Sequence, residues 1–346
     1  MLTEMCTVGL YTSNMTILVT GGTGFVGGAL VQHLLKDHRS IRVLARTPEK
    51  AHPLKALGVE VVKGDVLDAA SVKSAMRGVD VLYHVAAVYD MWMPNKSDII
   101  RIAVEGTKNV LQAALDAGVK RVVYTSSYNT IGEAPGTVGT EETVHRGYHY
   151  AVYEQAKVES ERVALSFVQK GLPVVIVNPG NVYGPGDFKP TGQLLLQILK
   201  GQLPGVVDGT YNYVYIDDVA RGHILAAEKG QVGERYLLSG PAMRVKDYMN
   251  LGRKLMGMGP VMELPYHLTL GLGYLLEGLS KITRRPPWVP VDMVRISRHG
   301  IHTDGSKAVR ELGLEYTPVE VGLPRTLEWY HRQGILKKAP LQRVDL

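Results

Sequence analysis

Tyr153 and Lys157 stand four residues apart in the run Tyr-Glu-Gln-Ala-Lys. On a helix that spacing puts a phenol and an ammonium on one face. A free tyrosine titrates near ~10, and a cation beside it favours the phenolate, which suits proton exchange with a carbonyl or an alcohol. Upstream, the apolar run Arg121-Val-Val-Tyr ends in Thr125-Ser126-Ser127. A hydroxyl at Ser127 could bond a substrate oxygen if it met Tyr153. The Tyr-Lys pair alone is weak, since a chain with 18 tyrosines contains about one such match by chance. Its weight comes from the surrounding pattern. His145 and His149 lie near Tyr153 but have no metal-ligand spacing, and no metal site is expected.

A second group of residues can hold phosphate. Gly21-Gly22-Thr23-Gly24-Phe25-Val26-Gly27-Gly28 follows the apolar run Met15 to Thr20 and opens a helical pattern. A turn this rich in glycine lets backbone approach a pyrophosphate, and the free N–H groups of the helix start attract the anion. Five of the chain's 38 glycines lie in this stretch, which places part of a glycine excess over the ordinary ~7%. At the end of the next strand no carboxylate stands ready for a ribose hydroxyl. The tip reads Leu-Ala-Arg46-Thr-Pro, with Lys50 close by. A guanidinium suits a 2′-phosphate, so NADP(H) is preferred and NAD(H) kept as the other option. Asp65 and Val66 follow the third strand and would meet the adenine. The small Ala86 and Ala87 close the fourth strand and leave room for the cofactor.

The elements that must position these groups alternate. Strands are expected at 15–20, 41–45, 59–62, 80–86, 121–125 and 173–177. Helices are expected at 25–36, 104–117 and 150–169. Alternation of this kind implies a parallel sheet covered on both faces, a doubly wound Rossmann-type α/β fold. After Asn178 the chain turns rich in proline and glycine, which reads as loop. Residues 1–14 are taken as an extension and 15–180 as the dinucleotide-binding domain, its sheet completed by 208–240. Residues 181–207 and 241–335 form a smaller, mixed substrate region, and 336–346 a tail.

Composition limits the alternatives. With 346 residues, 45% hydrophobic and 21% charged, the chain has the material for a core and is not disordered. Cys6 is the single cysteine, so no internal disulfide or cysteine metal cluster can form, and a reducing, cytoplasmic location is expected. Leu268 to Leu276, the best apolar stretch, is too short to span a bilayer and is expected to be a core helix. The charge of +6 is assigned to phosphate binding at Arg46 rather than to nucleic acid or membrane insertion.

Taken together and in order, these motifs resemble the extended short-chain dehydrogenase/reductases of the NAD-dependent epimerase/dehydratase type. The nearest branch holds dihydroflavonol 4-reductase-like ketone reductases, 3β-hydroxysteroid dehydrogenases and hopanoid-associated epimerase-like proteins. The likeness runs from about residue 15 to 335 and continues through Asn178-Pro179, Val182-Tyr-Gly-Pro185, Tyr215-Ile-Asp-Asp-Val219 and Asp304-Gly-Ser-Lys307. It implies Tyr153 as acid/base and Lys157 as the group that holds the nicotinamide ribose. It also implies Ser127 as the ligand of the substrate oxygen, Pro179 and Val182 beside the cofactor, and a homodimer through the helices 104–117 and 150–169. Two departures stand out. Ala103 replaces an asparagine common in relatives. The stretch before Tyr215, Gly209-Thr-Tyr-Asn-Tyr-Val214, lacks the arginine that nucleotide-sugar members use to grip a pyrophosphate, although Arg244 could substitute.

Candidate substrate contacts are Val88, Tyr89, Tyr128, Asn129 and Asn181, with Met91 to Met93 and the helix near 266–276 as further lining. The apolar, aromatic character of residues 88–93 fits an apolar carbonyl substrate or, equally, packing against the second region, while Arg284, Arg285, Arg295 and Arg298 are read as a solvated basic face, with attraction of an anionic substrate such as an acyl-CoA as the alternative. The expected activity is NADP-dependent hydride transfer between nicotinamide and the carbonyl or hydroxyl of a small, mostly apolar molecule. Two alternatives remain: a sugar or nucleotide-sugar epimerase or dehydratase with tightly held NAD, and a non-catalytic nucleotide sensor.

Overall fold

A computed structural model describes residues 15–37, 40–87, 96–283, 287 and 289–341. The expectations for residues 1–14, for Val88 to Met93 and for Arg284 and Arg285 fall outside the described residues.

The first half of the chain builds β1 (Thr16–Thr20), α1 (Phe25–Leu35), β2 (Ser40–Ala45), α2 (His52–Ala56), β3 (Glu60–Lys63), α3 (Ala69–Ala75), β4 (Val81–His84) and α4 (Lys96–Asp116). It continues with β5 (Arg121–Thr125), α5 (Val152–Gln169), β6 (Val174–Pro179) and β7 (Asn181–Tyr183). The remainder supplies α6 (Pro190–Leu199), β8 (Gly205–Val206), β9 (Thr210–Tyr215), α7 (Ile216–Lys229), β10 (Arg235–Leu238) and β11 (Ala242–Arg244). Last come α8 (Val245–Leu255), β12 (Met262–Glu263), α9 (Tyr266–Thr283), α10 (Val291–His299) and α11 (Val319–Arg332).

Seven strands pair in parallel in the order β10-β6-β5-β4-β1-β2-β3. The doubly wound parallel fold read from the alternating pattern is therefore present. Period-two side chains explain why both faces are covered. Ile17 and Val19 point to one face, where they pack with Leu30 and Leu34 of α1 and Val219 of α7. Leu18 points to the other and packs with Leu111 of α4 and Phe167 of α5. Strand order reverses between β1 and β4, and that reversal opens a crevice at the carboxyl ends of the strands.

A smaller three-stranded sheet, β11-β9-β7, and the helices α6 and α8 to α11 lie beyond this crevice, around a third apolar cluster. Two local readings change. The segment after Asn178 is not all loop: residues 181–183 pair with β9, and Pro190 begins α6, where a missing N–H costs nothing. Among the described residues helix α4 already runs from Lys96, ahead of the expected 104. Asp98 in the first turn suits the positive helix end and Ile99 is buried. Among the described residues no helix is long and apolar enough to cross a membrane.

Candidate active site

The crevice holds a cavity of about 490 Å³. Its floor is the turn from β1 to α1, and Gly21, Thr23, Gly24, Phe25, Val26 and Gly27 all line it. The turn is tight for a physical reason. Gly21 has φ +74° and would place a Cβ 2.7 Å from the Ala86 nitrogen. A Cβ on Gly27 would stand 2.2 Å from the Gly21 carbonyl oxygen. Helix α1 then starts with no side-chain cap and no acidic residue in its first turn. Its amino end is left to an anion from the cleft. This cradle of bare backbone fits the pyrophosphate of a dinucleotide.

Arg46, Asp65, Val66, Ala86 and Ala87 line one arm of the cleft, at the ends of β2, β3 and β4. Arg46 is exposed. Lys50 does not join them: it is exposed on a short helical turn, Pro48–Ala51, and is absent from the lining. Asp65 accepts from the Leu67 N–H at 3.0 Å, so its carboxylate also shapes the loop. At the end of β1 the Thr20 hydroxyl shares a 2.7 Å hydrogen bond with His84 Nδ1 and accepts from Ala86 N–H. Burial, reinforced by the Lys157 charge, pushes His84 down to about 3, so it stays neutral beside the cleft.

Ser127, Tyr153 and Lys157 are all buried and all line this cavity. Tyr153 and Lys157 come from the first turns of α5. Lys157 donates to the Thr125 carbonyl at 3.0 Å, tying the helix to the end of β5. Burial pushes the Lys157 ammonium down to about 8, against an opposing pull from Glu161. Between about pH 8 and the ordinary 10.5 the unfolded chain therefore binds more protons at this lysine than the folded one. Stability should rise with pH across that window and the rise should vanish in Lys157→Met. Chemical denaturation at a series of pH values tests this, and equal slopes in both proteins would contradict it.

Beneath these groups lies a buried network centred on Glu161, one turn further along α5. Its carboxylate accepts from Ser126, from Thr130 Oγ1 at 2.8 Å and from Asn178 Nδ2 at 2.8 Å. Arg235 of β10 reaches its other oxygen at 3.4 Å. The Asn178 amide also donates to the Ser127 carbonyl at 3.2 Å. Asn178 thus braces the site from below, while Pro179 and Val182 line the cavity itself. Nothing in the local spacing of Glu161 announces this, because its partners come from the end of β5, the turn at Tyr128–Thr130, β6 and β10.

Substrate-side expectations divide. Tyr128, Asn129 and Asn181 line the cleft. Asn129 turns inward, donating its amide to Ser127 Oγ at 2.9 Å, and Asn181 accepts from Thr191 Oγ1 at 2.9 Å. Ala103 also lines the cleft and presents only a methyl to it. Residues 266–276 do not line it, because α9 packs on the outer side of α10 and α10 supplies the wall through Met293, Ile296 and Ser297. Tyr211, Tyr213 and Met249 complete that end. The two tyrosines had a sequence signal, since alternate positions of β9 share one face. Tyr213 stacks on Tyr248 at 4.2 Å between ring centres, which fixes the wall. Arg244 is not there. It pairs with Asp208 and is half exposed outside the lining, so it does not substitute for the missing arginine.

Behind Tyr150 the fold gathers His145, His149 and Glu154, with ligand-type atoms within 4.8 Å of one another. The Arg146 guanidinium bonds the same Glu154 carboxylate, so a cation already answers that charge.

Comparison with known proteins supports one lineage. A model described as the NAD dependent epimerase/dehydratase family matches residues 17–239. Sterol demethylase protein B of Methylococcus capsulatus is 33% identical over 328 residues, covering 93% of this chain and 100% of that protein. Cinnamoyl-CoA reductase 1 of Oryza sativa subsp. japonica is 32% identical over 340 residues, covering 92% and 91%. Among solved structures, a double mutant of the dTDP-glucose 4,6-dehydratase DesIV from Streptomyces venezuelae, with NAD bound, superposes with a TM-score of 0.75. It is 26% identical and covers 93% of this chain and 99% of that one.

Proposed function

The chain belongs to the NAD-dependent epimerase/dehydratase family of extended short-chain dehydrogenase/reductases, and from that premise we propose an NADP-dependent reductase acting on the carbonyl of a mostly apolar small molecule, reversible as an alcohol dehydrogenase. That it is an NAD(P)-dependent enzyme of oxidoreductase type follows from the family. The choice of substrate class is carried by one observation. The substrate end of the cleft is walled by Tyr211, Tyr213, Met249, Met293 and Ile296, and its one cation among the described residues is the exposed Lys189 ahead of α6. Among the described residues a sugar-nucleotide pyrophosphate would find no bidentate donor there.

The bound dinucleotide supplies the hydride in reduction and accepts it in oxidation. Tyr153 gives its phenolic proton to the carbonyl oxygen as the carbon becomes tetrahedral, and takes it back in the reverse direction. The Lys157 cation, held by Thr125, stabilises the phenolate left on Tyr153. Ser127 Oγ accepts from the amide and backbone N–H of Asn129, so its own proton is directed to the substrate oxygen. Asn129 thereby positions Ser127, while it also lines the cleft where substrate would lie.

Arg46 is the group proposed to meet a 2′-phosphate. Arg46→Asp should lower the preference for NADPH over NADH by about 10- to 100-fold, the worth of one or two charge-assisted hydrogen bonds. An unchanged ratio of kcat/KM for the two cofactors would remove Arg46 from that role.

The function is tested by NADPH oxidation over a panel of aromatic ketones, steroids, acyl-CoA ketones and sugar nucleotides. Consumption with apolar ketones and none with sugar nucleotides is expected. Interconversion of a sugar nucleotide without net use of added cofactor would overturn the reading in favour of an epimerase.

A further inference from the structure

Tyr153, Lys157 and Glu161 stand four residues apart along α5, so one helix face presents a phenol, an ammonium and a carboxylate in turn. The first two line the cleft. Glu161 does not: it is 4% exposed beneath the floor, and no step of the reduction uses it. A carboxylate so deeply buried is tolerated only where donors hold it.

Those donors converge on one peptide. Ser126, just ahead of Ser127, gives its hydroxyl to Glu161 Oε2, and the Thr130 hydroxyl, three residues beyond, meets the same oxygen at 2.8 Å. The Asn178 amide reaches that oxygen at 2.8 Å and the Ser127 carbonyl at 3.2 Å. The chain carrying Ser127 is thereby held before it, after it and at its own carbonyl. Thr130, Asn178 and Glu161 all lie outside the cavity lining, so none of them is placed to touch substrate.

The same carboxylate is also a charge. Burial lowers the Lys157 ammonium to about 8, and Glu161 pulls the other way. The other titratable groups packed around this floor come from β4, β5, β10 and α7. His84 of β4 and His223 of α7 are pushed by burial down to about 3 and about 4, so both are neutral, and His223 shares a 2.9 Å hydrogen bond with Thr125 Oγ1. Tyr124 of β5 is raised by burial and stays a phenol. Arg235 of β10 reaches Glu161 Oε1 at 3.4 Å and also donates to the Glu141 carbonyl. Among the described residues Glu161 is thus the anion that the Lys157 cation faces, with Arg235 behind it.

We propose that Glu161 is a positioning residue of this active site. It fixes the Ser127 peptide through Ser126, Thr130 and Asn178, and it supplies the fixed negative charge that the Lys157 cation faces. The inference rests on the roles given above to Ser127, Tyr153 and Lys157.

Glu161→Gln keeps the shape and removes the charge. With an apolar ketone that wild type reduces, kcat should fall about 10- to 100-fold, while KM and dinucleotide affinity stay within about threefold. Losing the negative charge disfavours the Lys157 cation and favours the Tyr153 phenolate. Both effects move the alkaline fall of reductase kcat to lower pH, by about one unit. Stability reports the same coupling without any substrate. Lys157 drops further below its ordinary 10.5, so the rise of stability with pH should begin about one unit lower than in wild type. Glu161→Asp restores the charge but not the reach: both pH features should return to wild type while kcat stays reduced about three- to tenfold. Thr130→Ala, which removes one donor and no charge, should behave likewise.

Glu161→Gln with wild-type kcat, or with a lowered kcat and neither pH feature moved, would overturn the proposal. So would a loss confined to melting temperature and dinucleotide affinity, the signature of a merely structural role. If the glutamine chain does not fold, Glu161→Asp and Thr130→Ala decide, and a kcat within about twofold of wild type in both overturns it. A chain that reduces no ketone, yet shows the lower onset of the stability rise in Glu161→Gln, supports the Glu161–Lys157 coupling and overturns the proposed activity alone.

Discussion

Tyr153→Phe is expected to lower kcat/KM for carbonyl reduction by about 10²–10⁴-fold, the usual span for removing a positioned proton donor. The substitution keeps the ring, which is 7% exposed and packed at the start of α5, so the fold should be unaffected. It removes only the atom proposed to protonate the substrate oxygen. Dinucleotide affinity, read by fluorescence titration, should change little, because Lys157 and the cradle at Gly21 to Gly27 are untouched. Steady-state kinetics against an apolar ketone would show the loss in kcat. Turnover retained within a few-fold would transfer the acid/base role to another group, and the neutral, buried His84 would then need testing.

The second large effect is expected at Gly27. In Gly27→Ala the new methyl would sit 2.2 Å from the Gly21 carbonyl oxygen and 2.7 Å from its carbon. Both obstacles are backbone, so the turn must open rather than a side chain swing away. A displacement near 1 Å at a binding cradle costs about 10²-fold, and dinucleotide affinity should fall at least that far. Gly28→Ala provides the control. Its methyl would lie 3.6 Å from the Gly22 carbonyl oxygen, an ordinary contact, and alanine favours the helix by about 1 kcal/mol. If thermal melts show Gly27→Ala folded and titration shows unaltered affinity, the close approach is not part of a phosphate site.

Much of this architecture was readable along the chain. The strands β1, β2, β5 and β6 and the helices α1 and α5 lie within a residue or two of their expected bounds. Fully buried parallel strands write themselves as short apolar runs, and glycine at 21 and 27 marks a turn whose backbone leaves no room for a Cβ. The same spacing rules put Tyr153 and Lys157 on one face. Readings weakened where the outcome depended on what packs against a segment. Lys50 and Arg46 are four residues apart, yet only Arg46 lines the cleft, because the chain curls into a short turn at Pro48. Arg244 looked available until Asp208, 36 residues away, was seen to hold it.

Helix α9 shows the same limit more clearly. Residues 268–276, read from sequence as a core helix, leave Leu268, Leu272 and Leu275 exposed while Gly273 is buried. The leucines repeat with the period of a buried helix, and period alone cannot tell an apolar stripe that meets a core from one that meets water. That depends on which side finds a neighbour, and here the glycine side does. The Glu161 network, whose donors converge from β5, β6 and the turn after Ser127, is equally silent in sequence. Local spacing was enough for the fold class, the glycine turn and the placing of Tyr153 and Lys157 on one cleft, because each is written within a few residues by backbone sterics and helical period. Which walls close the cleft, which cations stay outside it and which apolar face is left bare are matters of long-range packing. They arise from segments that meet only once the sheet has formed.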